Sequence, residues 1–125
     1  MRFFWVCVGG AFGSGARYLI AGLALNALGP FFPWGTLIVN VVGSFLLAFL
    51  MVIGTETEVM SATLRLTLTT GAMGGFTTYS TFNYESLRYF QEGAWGLGLV
   101  NLIGTAVSCL VAGVLGFALA RWIVG

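Results

Sequence analysis

GGFTTYSTF, residues 74–82, is the stretch of this 125-residue chain that decides the fold. It places two glycines, four serine or threonine residues and three aromatics in a row, within a segment otherwise apolar enough to cross a membrane. Adjacent glycines and β-branched threonines are poor helix formers. A broken helix leaves backbone groups unpaired, which a bilayer tolerates only where the break is buried in protein or lines a wet cavity. The stretch therefore predicts a functional site inside a membrane span.

The composition around this stretch is that of an integral membrane protein. Hydrophobic residues make up 58% of the chain and charged residues only 7%, with no lysine, histidine or aspartate. Soluble domains carry roughly 25% charged residues, so this chain has too few to cover a water-facing surface. The net charge of +1 excludes a nucleic-acid partner. The length fits a single domain, residues 1–125.

Four apolar segments are long enough to cross a bilayer, which takes about 20 residues. We expect spans at about 3–28, 34–54, 60–90 with a break at 74–79, and 95–124. The first span shows no clear cleavage pattern, and we interpret it as retained rather than as a signal peptide. The prediction is an all-α, multi-pass membrane protein with four transmembrane helices. The third helix is broken mid-membrane, and both termini lie on the same side.

The distribution of arginines favours neither orientation of these spans in the membrane. Orientation follows the bias of lysine and arginine between the two sides of the membrane. The five arginines are divided between the sides, and Arg65 and Arg88 both belong to the third segment. Such a chain can insert either way round, which permits an antiparallel homodimer without requiring one.

Small residues recur at helical spacing and predict close helix packing. On the first span Gly9 and Gly13 are four residues apart. On the fourth span we expect a longer stripe, formed by Gly104, Ser108, Ala112 and Gly116.

Few polar side chains lie within the spans, and each has more than one interpretation. Asn40 on the second span either bonds helices together or faces water. Arg17 on the first span either anchors a helix end or the break, or holds a wide anion entrance positive. Glu85 either pairs with Arg88, three residues on, or faces a pore. On the fourth span a polar track shares one helical face, consisting of Asn101, Thr105 and Cys109.

These residues form no catalytic set. The chain has no histidine, its four glutamates are dispersed, and phosphate-binding loops and nucleophile motifs are absent. Hydroxyls and aromatics at a helix break suit ion passage or substrate binding better than bond breaking. We therefore expect a protein that is not an enzyme.

Two motifs at this separation resemble those of the bacterial Fluc/CrcB fluoride channels. They are GTLIVNVVGS at 35–44 and GGFTTYSTF at 74–82, preceded by Gly9-Gly10 and Arg17-Tyr18. The resemblance covers essentially the whole chain. It implies a dual-topology antiparallel homodimer with two pores in the bacterial inner membrane. Such a dimer exports fluoride passively and gives fluoride resistance.

The resemblance also implies roles for individual residues. Asn40 matches the pore asparagine, and Tyr79 and Phe82 match two aromatics whose ring edges line the anion path. Further positions on that path are implied for Ser80, Thr81, Glu85 and Thr105. The carbonyls of Gly74 and Thr77 match those that hold a structural Na⁺ at the dimer interface. Arg17 matches the arginine of the first span.

Tyr79 and Cys109 depart from the family pattern, which usually has phenylalanine and a hydroxyl residue there. Two other classes of protein remain as alternatives. A proton-coupled small multidrug transporter needs a carboxylate deep in the first span, where this chain has Arg17 instead. A non-conducting assembly protein would explain the small-residue stripes but not the aromatics and hydroxyls that follow Gly74-Gly75.

Overall fold

The computed structural model describes residues 1–125 and consists of helices joined by short turns. The elements are α1 (Arg2–Leu28), α2 (Trp34–Glu56), α3 (Ala62–Leu66), a π-helix (Thr67–Met73), α4 (Gly74–Phe76), α5 (Tyr79–Gln91) and α6 (Trp95–Val124). Helices α1, α2 and α6 are long and apolar enough to cross a membrane. The third segment, residues 62–91, is divided among the π-helix and three α-helices. This agrees with the predicted all-helical membrane protein in which the third of four helical segments is broken.

Most of the molecular surface is apolar. Only 20 of the 125 residues are buried in the single chain, and large hydrophobic side chains such as Phe3, Leu110 and Trp122 are exposed. Such a surface is stable only against lipid or another protein chain, because exposed apolar area in water is unfavourable. The single chain is therefore built for a bilayer environment.

The break in the third segment is shorter than predicted and begins later. Gly74 has helical backbone angles (φ −60°, ψ −38°), and α4 includes Gly75 as well. The extended residues are Thr77 (φ −88°, ψ 159°) and Thr78 (φ −149°, ψ 120°), and α5 begins directly after them. The expectation that the two glycines themselves interrupt the helix is therefore wrong.

Close packing explains why glycine stands at position 75. A Cβ atom there would lie 2.6 Å from the carbonyl oxygen of Gly10 and 3.0 Å from Oγ of Ser14. Real Cβ atoms do not approach backbone oxygen so closely, so any larger residue would push α1 away. Gly75 thus serves the contact between α4 and α1, and tertiary packing overrides its low helix propensity.

The π-helix brings the third segment against α1. The hydroxyl of its first residue, Thr67, donates a hydrogen bond to the Thr63 carbonyl oxygen (2.7 Å). A Cβ atom on Gly71 would lie 2.7 Å from the Val6 carbonyl oxygen, so only glycine fits this contact. Gly9 is buried on the facing side of α1, as its small-residue spacing predicts. The π-helical turn itself was not predicted.

The small-residue stripe on α6 is only half buried. Ala112 and Gly116 are buried against α2, whereas Gly104 and Ser108 are exposed. The buried face of α6 runs instead through Thr105 to Ala112 and Gly116. The inward face of α6 is therefore polar in its first half and small in its second half.

Candidate functional site

One side chain of α2 holds the break in place. Asn40 Nδ2 donates to the Thr78 carbonyl oxygen (3.0 Å), and Asn40 Oδ1 accepts from the Thr78 backbone N–H (2.8 Å). Thr78 has extended geometry and no helical partners for these two groups. The asparagine amide therefore satisfies both, which favours the helix-bonding interpretation of Asn40. Its second N–H remains for another acceptor.

Thr78 also starts the helix that follows the break. Its hydroxyl oxygen accepts from the backbone N–H of Thr81 (3.3 Å) and its proton is donated to Thr81 Oγ1 (3.0 Å). This is the N-cap arrangement in which a threonine side chain satisfies a free amide of the first helical turn. α5 consequently begins at Tyr79.

Arg17 binds the other side of the break. Its Nε donates to the Gly75 carbonyl oxygen (3.0 Å), near the end of α4. The final carbonyls of a helix have no partner within it, so a guanidinium group there is favourable electrostatically as well. This contact favours the anchoring interpretation of Arg17. No side chain donates to the neighbouring carbonyls of Gly74 and Thr77.

A groove opens where the break faces α2 and α6. We call this cavity of about 320 Å³ the mid-membrane groove. It is lined by Asn40, Gly43, Ser44, Leu47, Thr77, Thr78, Tyr79, Phe82, Thr105, Ala106 and Cys109. Four of the predicted ion-path residues thus share one cavity, namely Asn40, Tyr79, Phe82 and Thr105.

Two aromatic rings form one side of the groove. The centroids of Tyr79 and Phe82 are 5.8 Å apart, and the rings are inclined at 73°, an edge-to-face pair. Phe82 is 8% exposed, whereas Tyr79 is 76% exposed in the single chain. Aromatic rings carry partial positive charge at their edges. The pair therefore offers a neutral wall with electropositive edges.

Most hydroxyl protons around the groove are engaged elsewhere. Thr77 donates to the Met73 carbonyl (2.9 Å), and Thr78 donates to Thr81. Thr105 donates to Asn101 Oδ1 (3.3 Å). The groove is uncharged, and the Asn40 amide retains one unengaged N–H.

Three predicted polar positions lie outside the groove. Ser80 is exposed and does not line the groove, and Thr81 is turned toward Thr78. Both follow Tyr79 within one helical turn and so point to other faces than Tyr79 and Phe82. Asn101 of the polar track is 1% exposed and lies behind the groove instead of lining it.

Glu85 lines a second space, which we call the end cavity, between the 29–33 turn, the start of α2 and the end of α5. This space measures about 410 Å³. Thr36 Oγ1 donates to Glu85 Oε2 (3.1 Å), while Glu85 Oε1 is buried without a hydrogen-bond partner. Of the two interpretations of Glu85, the pairing with Arg88 is wrong, because Arg88 instead pairs with Glu92 (2.9 Å), four residues on.

Two residues of the site were missed by sequence reasoning. Thr78 is recognisable as a threonine directly before a helical segment, which is an N-cap signal. Ser86 is 2% exposed, accepts from Asn101 Nδ2 (2.8 Å) and donates to the Phe82 carbonyl (2.9 Å). No local signal identifies Ser86, because its contact with Asn101 depends on how α5 and α6 are rotated against each other.

Comparison with known proteins gives matches over nearly the whole chain. A family model described as CrcB-like protein, Camphor Resistance (CrcB), matches residues 4–117. A fluoride-specific ion channel FluC of Anaeromyxobacter sp. (strain K) is 52% identical over 124 residues, which cover 99% of this chain and 98% of its own length. The protein of that name from Sorangium cellulosum (strain So ce56) is 52% identical over 120 residues, covering 96% and 94%. One from Geobacter sulfurreducens is 44% identical over 116 residues, covering 93% and 94%. The matched regions include every residue of the mid-membrane groove.

Proposed function

This chain belongs to the Fluc/CrcB family of fluoride channels, and we propose that it is a fluoride-selective passive channel of the bacterial inner membrane. Its relatives are named fluoride-specific ion channels. Export of fluoride down its gradient would give the cell fluoride resistance. The observation that carries the proposal is the mid-membrane groove, where two aromatic rings and an amide donor meet at a helix break.

The chemistry of the groove suits a small anion. Fluoride is strongly hydrated and accepts strong hydrogen bonds, so a pore must replace its water with donors. The Asn40 N–H that Thr78 leaves unengaged is one such donor, and the edges of Tyr79 and Phe82 add positive potential without a full charge. A fixed cation in a narrow path would hold the ion, and conduction needs weak binding at several sites. The arginine nearest the break is engaged with a backbone carbonyl instead.

The groove and the end cavity lie beside successive parts of α5, although no residue lines both. Phe82 lines the groove and Glu85 lines the end cavity, and the two are three residues, about 4.5 Å, apart along the helix axis. We infer that the ion path passes along this face of α5. Thr36 and Glu85 are then the polar groups that it meets after Phe82.

We further propose that the functional unit is an antiparallel homodimer with two pores. Tyr79 is 76% exposed in the single chain although it belongs to the groove, which is open on that side. A second copy is the partner that would close it. Ser80, also exposed, would then face the neighbouring subunit or its pore. The balanced arginines are compatible with insertion in both orientations.

Backbone oxygen atoms at the break fit a structural sodium ion. The carbonyls of Gly75 and Thr78 accept from Arg17 and Asn40, whereas no side chain donates to those of Gly74 and Thr77. Hard cations prefer oxygen ligands such as these. We propose that Gly74 and Thr77 hold Na⁺ together with their counterparts in the second subunit. The ion would neutralise backbone dipoles that the break leaves without partners.

The proposal is tested by reconstitution of the purified protein into liposomes loaded with fluoride. A fluoride electrode outside the liposomes should record rapid efflux. Well-reconstituted protein that releases no fluoride would overturn the proposed function.

A further inference from the structure

A buried chain of three polar side chains connects the groove to the interior of the α5–α6 contact. Thr105 lines the groove and donates to Asn101 Oδ1 (3.3 Å). Asn101 Nδ2 donates to Ser86 Oγ (2.8 Å), and Ser86 donates to the Phe82 carbonyl (2.9 Å). Thr105, Asn101 and Ser86 are 4%, 1% and 2% exposed. We call these three residues the buried relay.

Thr105 behaves unlike three other helical threonines of this chain. The hydroxyls of Thr55, Thr67 and Thr69 all donate to the backbone carbonyl four residues earlier. This is the usual local bond of a helical threonine. Thr105 donates instead to the side chain of Asn101, which is its neighbour at that spacing. The amide of Asn101 therefore keeps the Thr105 hydroxyl away from the backbone.

In the observed arrangement the hydroxyl protons of Thr105 and Ser86 are donated to Asn101 and to the Phe82 carbonyl, so neither is offered to the groove. Thr105 presents oxygen lone pairs to the groove, and lone pairs repel an anion. A half-turn of the Asn101 carboxamide exchanges its donor and acceptor ends without changing its shape. Nδ2 would then donate to Thr105 Oγ1, and Oδ1 would accept from the Ser86 hydroxyl. The Thr105 proton would be released to point into the groove.

The two arrangements have nearly the same number of hydrogen bonds. In the turned arrangement the Phe82 carbonyl loses the Ser86 hydroxyl but keeps the backbone N–H of Ser86, its regular partner within α5. The bond that breaks at Thr105 is long at 3.3 Å, whereas an ordinary O–H···O bond is about 2.7–2.8 Å. An anion in the groove would favour the turned arrangement, because a hydroxyl proton then faces it.

We propose that Asn101 and Ser86 are positioning residues that act through Thr105. The arrival of an anion turns the Asn101 carboxamide and converts the Thr105 hydroxyl from an inward donor into a donor toward the groove. No proton is transferred, since each one stays on its own atom. The inference rests on the proposed function, because it assumes that fluoride enters the groove.

Flux measurements on a double-mutant cycle test the coupling. Thr105→Val removes the hydroxyl at constant shape and should lower fluoride efflux roughly tenfold, in keeping with a hydrogen bond to a charged group. Asn101→Leu should cause a similar loss, because Thr105 then bonds its own backbone. The double variant should be no slower than Thr105→Val alone. Asn26→Leu, at an exposed asparagine of α1, is the matched control and should leave efflux unchanged.

Losses that multiply in the double variant would overturn the inference, because Asn101 would then act independently of Thr105. The proposed function would stand in that case, since it depends only on efflux by the unmodified protein. Absence of efflux from the unmodified protein would overturn the proposed function itself. The two failures are therefore distinguishable.

A second measurement does not depend on the folding of Asn101→Leu. Protein labelled with ¹⁵N-asparagine gives side-chain amide signals for only four residues, Asn26, Asn40, Asn83 and Asn101. Fluoride should shift the Asn101 signal although this side chain does not line the groove, and the shift should vanish in Thr105→Val. An Asn101 signal that stays in place while fluoride shifts the groove-lining Asn40 signal would contradict the inference.

Discussion

Asn40 of α2 binds both backbone groups of Thr78, with its Nδ2 3.0 Å from the carbonyl oxygen and its Oδ1 2.8 Å from the amide nitrogen. Thr78 is the residue at which the third segment leaves helical geometry. The amide side chain thus provides the pair of hydrogen bonds that a neighbouring strand would provide in a sheet. The broken helix can persist in a membrane because the Asn40 side chain leaves neither the carbonyl nor the N–H of Thr78 unpaired.

Replacement of Asn40 by alanine should therefore destabilise the break. Two backbone groups of Thr78 would lose their partners, and each buried, unpaired group costs about 1–3 kcal/mol. We expect a lower midpoint of thermal unfolding in detergent and a large loss of fluoride efflux. Asn26→Ala, at an exposed asparagine without side-chain hydrogen bonds, should change neither quantity. An Asn40→Ala protein as stable as the unmodified one would show that the bonds to Thr78 do not hold the break.

Glycine at position 75 is required by packing. Its replacement by alanine should destabilise the protein, whereas the same replacement at Gly22 should stabilise it. Gly75→Ala forces a Cβ within 2.6 Å of the Gly10 carbonyl oxygen, and such overpacking typically costs about 1–3 kcal/mol. Gly22→Ala meets no atom within 4 Å and should stabilise α1 slightly, since alanine favours helix. Thermal unfolding of the two variants measures the difference. Equal midpoints would contradict the close contact between α1 and α4.

Replacement of Phe82 should slow conduction strongly while the fold persists. Phe82→Ile keeps an apolar side chain but removes the aromatic ring that lines the groove. We expect fluoride efflux to fall by at least about tenfold, as for the loss of one contact with a charged ion. Size-exclusion chromatography should show an unchanged oligomer. Tyr79→Phe keeps its ring edge and should remain active. Normal efflux through Phe82→Ile would remove this residue from the ion path.

Antiparallel assembly predicts that the chain inserts in both orientations. A reporter cysteine, Gly125→Cys, in a background with Cys7→Ser and Cys109→Ser, places the only thiol at the C-terminus. A membrane-impermeant maleimide should label roughly half of the chains in sealed vesicles, because the arginines favour neither orientation. Detergent should expose the remainder. Complete labelling, or none, in sealed vesicles would indicate a single orientation and contradict the antiparallel dimer.

The four helical segments and the interrupted third one were predictable because they depend on local properties. Apolar runs of spanning length and poor helix formers at residues 74–82 can be read along the chain. The position of the interruption was not predictable in this way. Gly75 lies in a helix packed closely against α1, whereas Thr77 and Thr78 are extended and Asn40 binds the backbone of Thr78. Contacts between distant segments thus override local propensity.

The candidate site was also predictable only in part. Asn40, Tyr79, Phe82 and Thr105 were singled out on motif resemblance, and the structure places all four at one groove. Ser80 and Thr81 were expected beside them, but helical geometry turns these side chains to other faces. The buried relay depends on the relative rotation of α5 and α6. No pattern within either helix shows that Ser86 meets Asn101.

Comparison of fluoride with chloride in the same vesicles tests the central claim most directly. Liposomes that hold the purified protein are loaded with both anions, and valinomycin with potassium carries the compensating charge. Electrodes outside record both anions after the ionophore is added. The account predicts rapid fluoride efflux with chloride efflux no faster than from protein-free vesicles. Equal release of both anions, or release of neither, would contradict a fluoride-selective channel.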